Sequence, residues 1–170
     1  NSFLGNEIAI KSIQKVNENV SARFDAISRG YIYKIHRNKD PFLVNQSYLF
    51  SRDLDVEMMN ASCDIIMDWN DFEAFSKVHT EVNNFNCEIF EAKWESENDR
   101  LYFSVSANRF LRNMIRAMVG TMLDLGEKKI SLKQFREILE SRDRKKAGKS
   151  APAHGLYLRD ICYSESIFLS

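Results

Sequence analysis

Arg116 is the residue best placed for charge chemistry in this sequence. At about 100° per residue, Arg109, Arg112, Asn113, Arg116, Gly120, Asp124 and Glu127 fall on one stripe of a predicted helix running from near Asn108 to Gly126. Phe110, Met114, Ile115, Met118, Met122 and Leu125 fill the rest of it. Arg112 and Arg116 repel each other as i, i+4 neighbours unless an anion approaches. The nearest acid on the stripe, Asp124, lies two turns from Arg116. Gly120, one turn beyond Arg116, removes a side chain and admits a second backbone or a ligand. Arg116 is therefore expected to await a carboxylate or phosphate from elsewhere. A solvated polar helix face would carry the same pattern.

Two further clusters suit nucleic acid. In Arg29-Gly30-Tyr31-Ile32-Tyr33, two aromatics share one face of a strand beside an arginine, the platform on which unstacked bases lie. The run echoes the RNA-recognition-motif signature, although core tyrosines with wet hydroxyls give the same spacing. In the loop Arg142 to Lys149, five cations stand against one acid, which suits sequence-independent phosphate contacts or a solvated surface. Arg112, Arg144, Lys145, Lys146 and Lys149 are the candidate contacts to an RNA backbone.

Other chemistries fail on spacing. Gly148-Lys149-Ser150 imitates the end of a phosphate-binding P-loop, but Asp143 stands where its first glycine belongs and Pro152 blocks the following helix. His36, His79 and His154 are not paired at metal-ligand spacing and no Cys-x-x-Cys occurs, so no metal is expected. Dinucleotide and serine-hydrolase glycine motifs are missing.

These residues need elements to hold them. Ile8 to Val16 alternates as a half-buried strand would, and Gly30 to Ile35 is aromatic and β-branched. Asp53 to Asp68 is helical in pattern, with Asp53 as its cap. Cys87–Trp94 and Leu101–Ala107 form a predicted hairpin across Ser96-Glu97-Asn98-Asp99. Trp69 to Phe75, including Asp71, Phe72 and Phe75, is assigned to packing. A second helix, Ser131 to Glu140, opens on a serine cap, and Gly155 to Tyr163 is a closing strand after the loop 141–155. This mixture predicts an α+β fold, an antiparallel β-sheet with helices packed on one face, in one domain spanning 1–170.

The 170 residues suffice for such a domain. Net charge is zero, yet residues 1–108 carry 11 Lys and Arg against 17 Asp and Glu, whereas 109–160 carry 13 against 6. A polyanion would meet the basic C-terminal third. Mean hydropathy is −0.39, and no apolar run approaches the ~20 residues of a membrane span. The three separated cysteines fit a reducing, cytoplasmic setting. The opening Asn1-Ser2-Phe3, without Met or leader, is expected of a cut or processed chain.

Taken in order, several segments resemble a known family. They are Ser21-Ala22-Arg23-Phe24-Asp25-Ala26 with Tyr31-x-Tyr33, and Asn70-Asp71-Phe72-x-x-Phe75. Further along come Ala107-Asn108-x-Phe110-Leu111-x-x-Met114-Ile115-Arg116-x-x-Val119-Gly120, then Ala151-Pro152-x-x-Gly155-Leu156-Tyr157-Leu158. Together they are similar to the C-terminal half of the bacterial tRNA pseudouridine synthase A family, over nearly the whole chain. The resemblance implies an isomerase that converts uridine to pseudouridine in the tRNA anticodon stem-loop, without cofactor and as a homodimer. It implies that Arg116 pairs with the nucleophilic Asp, that Tyr31 packs on the target base and serves proton transfer, and that Leu156 and Leu158 wall the uracil pocket. The family's Gly-Arg-Thr-Asp-Ala-Gly-Val-His motif, which carries that Asp, is not in this sequence. It is expected upstream of Asn1, so the chain alone would be an inactive C-terminal fragment. Gly30 stands where many relatives are basic. Apart from the resemblance, the same clusters would also serve a stand-alone, non-catalytic RNA-binding module or a plain protein-interaction domain.

Overall fold

β1 (Ala26–His36) is the strand around which the sheet assembles, in a computed structural model that describes residues 1–77 and 84–169. On one side β1 pairs antiparallel with β4 (Arg100–Ala107), which pairs in turn with β3 (Ile89–Glu97). On the other side it pairs antiparallel with β5 (Leu156–Tyr163) and, at its end, in parallel with the two-residue β2 (Tyr48–Leu49). The expected α+β fold is present, and the sheet is mixed: β2 is the parallel exception.

Period-two alternation decides the faces. Leu101, Phe103, Val105 and Ala107 of β4 are buried, as are Tyr33 and Ile35 of β1 and Trp94 of β3. Over this face lie α1 (Val56–Met67), α2 (Met114–Gly126) and α3 (Leu132–Glu140). Trp94 stacks on Phe103 at 5.0 Å and turns its indole N–H toward the Met122 sulfur at 3.3 Å, joining the sheet to α2. Phe72 and Phe75 are fully buried, as the packing assignment requires. The hairpin turns at Asn98 and Asp99, with Glu97 opposite Arg100; Asn98 takes φ 54°, a left-handed value that asparagine tolerates. α3 carries the reciprocal capping box of Ser131 and Gln134.

Three expectations are corrected. Residues 8–15 form no strand: Ile8, Ile10 and Ile13 are exposed, and only Val16 makes an isolated bridge, to Phe168. Alternation marks a strand only where another strand accepts its hydrogen bonds. α1 is capped by Asp55, whose carboxylate accepts from the Met58 N–H, and not by Asp53. That hydrogen bond, with Lys128 nearby, holds the Asp55 carboxyl below its ordinary range. Lastly, the helix predicted from Asn108 begins only at Met114. Asn108 extends the hairpin instead, its N–H donating to the Glu88 carbonyl and its side chain accepting from the Glu88 N–H. Asn113 then turns the chain at φ 68°. Arg109 and Arg112 are therefore off the helix, and the like-charge pair of Arg112 with Arg116 does not form on it.

Candidate functional site

Arg116 sits in the first turn of α2, half-buried. Its Nε donates to the Ala151 carbonyl at 2.6 Å, and the Ala151 N–H returns a bond to the Arg116 carbonyl at 2.9 Å. No carboxylate among the described residues pairs with it. The chain from Gly148 to Pro152 thus runs as a strap along α2. Gly120 permits this approach, since a Cβ there would stand 1.8 Å from the Lys149 carbonyl oxygen. The residue placed one turn beyond Arg116 to admit a second backbone does so.

A cavity of about 470 Å³ opens beside Arg116, lined also by Arg52, Asp124, Glu127, Lys129 and Lys149. Its acids are already matched. Glu127 pairs with Arg52 at 2.8 Å and Lys129 at 2.7 Å, and Asp124 with Lys129 at 3.4 Å. Among these cations, Arg116 and Lys149 have no carboxylate partner among the described residues, so the cavity favours an incoming anion.

Tyr31 lines a different groove of about 750 Å³, with Arg23, Phe24, Arg29, Arg109 and Phe110 among its walls. Its ring meets Phe110 edge-on, 5.3 Å between centroids. Arg29 shapes this groove by donating to the carbonyls of Arg23, Ala26 and Asn108. Leu158 stands opposite Tyr31 in the β1–β5 register and is 51% exposed, while Leu156, opposite Tyr33, packs against the core. The structure therefore brings Tyr31 and Leu158 together. Tyr31 and Arg116 line separate cavities with no lining residue in common.

The two-tyrosine platform is not available as such. Tyr33 is fully buried, and its hydroxyl donates to the Pro152 carbonyl at 2.7 Å. Burial, and then Tyr48, push its pKa up, with Arg116 opposing. Only Tyr31 can face a ligand, because the sheet's cover of helices and strap continues over the second ring.

The basic loop divides into structural and open members. Arg144 turns inward, donating to the carbonyls of Ala147 and Gly148 and to Ser150 Oγ at 2.7 Å. Burial lowers its pKa, and it shapes the loop instead of offering a free guanidinium. Arg142 pairs with Asp71 at 2.9 Å. Lys145, Lys146 and Lys149 are exposed, as is Arg112. His79 lies outside the described residues.

Sequence reasoning missed the strap's fastenings: Asn113 Nδ2 to Ser150 Oγ at 2.7 Å, and the Gly148 N–H to Thr121 Oγ1 at 2.9 Å. The available signal was the pair of glycines: Gly120 faces the backbone of Lys149 and Ala151, and Gly148 that of Gly120 and Thr121.

A family model described as tRNA pseudouridine synthase matches residues 69–164. The tRNA pseudouridine synthase A of Parabacteroides distasonis is 44% identical over 168 residues, covering 99% of this chain and 67% of that protein. The protein of the same name from Porphyromonas gingivalis is 44% identical, with 99% and 68% covered. That of Bacillus subtilis is 35% identical, with 96% and 67% covered. On the extent of that identity, and with the segments of Arg116 and Gly155 inside the matched region, the chain belongs to the tRNA pseudouridine synthase family.

Proposed function

We propose that this chain supplies the C-terminal share of a uridine-isomerising site in the tRNA anticodon stem-loop, and that the carboxylate nucleophile comes from a preceding segment. The observation that carries this reading is Arg116: half-buried, tethered through Nε alone, and unmatched by any carboxylate among the described residues. An arginine in such a position stabilises an incoming carboxylate and keeps it ionised for attack.

Isomerisation replaces the bond between uracil N1 and the ribose with one from C5; the C5 proton leaves and N1 gains one, so the atoms balance. No net redox change occurs, and none of the residues assigned here requires a cofactor. Tyr31, half-buried beside an arginine-lined groove, packs on the extruded base and serves proton transfer; Leu158 and Leu156 wall the pocket. Lys145, Lys146, Lys149 and Arg112 contact phosphates. The whole enzyme acts in the cytoplasm as a homodimer on this reading, and the chain alone has no synthase activity.

The test is tritium release from 5-tritiated uridine in tRNA. The full-length synthase is expected to release tritium, and Arg116→Ala to abolish the release. This chain alone should stay at background. Sustained release by the chain alone would overturn the assignment of the nucleophile to a preceding segment.

A further inference from the structure

We infer that Tyr33 is a positioning residue for Arg116, acting through the Ser150–Pro152 strap and not by contact with RNA. This rests on the reading of Arg116 as the nucleophile's partner. Tyr33 is buried to 0% exposure, so its ring cannot stack on a base. Its hydroxyl holds the Pro152 carbonyl at 2.7 Å, and one residue earlier the Ala151 carbonyl holds Arg116 Nε at 2.6 Å. The connection from the sheet to the guanidinium is therefore two hydrogen bonds and one peptide unit long.

The strap is held from both sides. On the α2 side, Asn113 and Arg144 both donate to Ser150 Oγ at 2.7 Å. Gly120 lets the Lys149 carbonyl seat against the helix. On the β1 side a Cβ at Gly155 would lie 2.7 Å from the Tyr33 ring, so the chain leaves the strap pressed on that ring. With Nε engaged, Arg116 presents its two terminal nitrogens, which have no protein acceptor among the described residues, in a plane set by the strap. A carboxylate is then received end-on across both, the geometry in which arginine discriminates best. Removing the Tyr33 hydroxyl leaves the Pro152 carbonyl without that donor, and the strap relaxes away from the orientation it imposes.

The experiment uses the full-length synthase and compares Tyr33→Phe, Arg116→Lys and the double variant by single-turnover rate and by tRNA Kd. Tyr33→Phe is expected to slow the chemical step about ten- to a hundredfold, as misplacement of a reacting group does, with Kd unchanged within about twofold. On the Arg116→Lys background the same change should cost nothing further, because lysine lacks the tethered fork. A merely structural tyrosine would give an undiminished loss there, and that result overturns the inference. So does a wild-type rate for Tyr33→Phe, or a rate loss matched by lost tRNA affinity. If Arg116→Lys itself turns over at the wild-type rate, the role of Arg116 fails and the inference with it, a result distinct from the others. Gly120→Ala strikes the strap from the α2 side and should reproduce the Tyr33→Phe pattern; the same rate loss with unchanged Kd supports the strap, and an unchanged rate opposes it. Should that variant fail to fold, the Tyr33→Phe series decides alone.

Discussion

Tyr31 and Tyr33 are two residues apart on one strand, yet their surroundings give them different work. Tyr31 is half-buried with its edge against Phe110, and Tyr33 is sealed beneath the strap with its hydroxyl engaged. If Tyr31 both packs on the base and moves a proton, its two capacities separate by substitution. Tyr31→Phe in the full-length enzyme should keep tRNA affinity and lose most turnover, since only the hydroxyl goes, whereas Tyr31→Ala should weaken both. Turnover at the wild-type rate in the Phe variant would remove the proton-transfer role. The cysteines show the same dependence on surroundings: burial pushes the Cys63 thiol up to about 12 and Cys87 to about 11, while Cys162 is exposed. Gly30 carries no side chain. Asp160 sits where its side chain would begin, 2.6 Å from a Cβ at that position.

At the scale of elements, the loop 141–155 is the clearest gain from the structure. It looks like a run of cations, but Arg144 is its internal brace and Arg142 pairs with Asp71. On the proposed function, phosphate binding falls to the exposed Lys145, Lys146 and Lys149. Reversing Lys145 and Lys146 to Glu should flatten the dependence of tRNA affinity on salt, by about 0.7 to 0.9 in the log–log slope for each phosphate that is no longer neutralised. Titrations at several salt concentrations check this, and an unchanged slope would assign both lysines to solvent. The opposite expectation holds for Arg144. Its donors end on backbone carbonyls and Ser150, so its loss bears on the strap before it bears on RNA.

Across the whole molecule, apolar surface is unevenly covered. The helices bury one sheet face, while Phe3, Ile8, Ile13, Phe24 and Phe42 are more than half exposed, at 102%, 61%, 87%, 78% and 86%. β5 pairs only with β1 among the described strands, leaving an edge able to accept another strand. The isolated chain is therefore expected to self-associate with rising concentration in sedimentation velocity, and a monomer at all concentrations would contradict this. No described helix is long and apolar enough to cross a membrane.

Elements with strong local signals were legible without coordinates. The hairpin, α3 with its serine cap and the closing strand follow from period, turn residues and capping chemistry, which act between near neighbours. Arg116 and Gly120 could be singled out the same way, because a missing acid and a missing side chain are visible in one helical stripe. Local pattern failed where distant groups compete for the backbone. Residues 108–113 fit a helix but serve the hairpin and the Tyr31 groove, and Ile8 to Val16 alternates with no strand beside it. The division of Tyr31 from Tyr33, and of Arg144 from its neighbouring lysines, arises because a strap more than a hundred residues beyond β1 lands on one and not the other. Spacing in the sequence determined which side chains share a face within the elements that form. Only tertiary packing decided which of them remain open to a ligand, because burial and hydrogen-bond partners are set by segments remote in the chain.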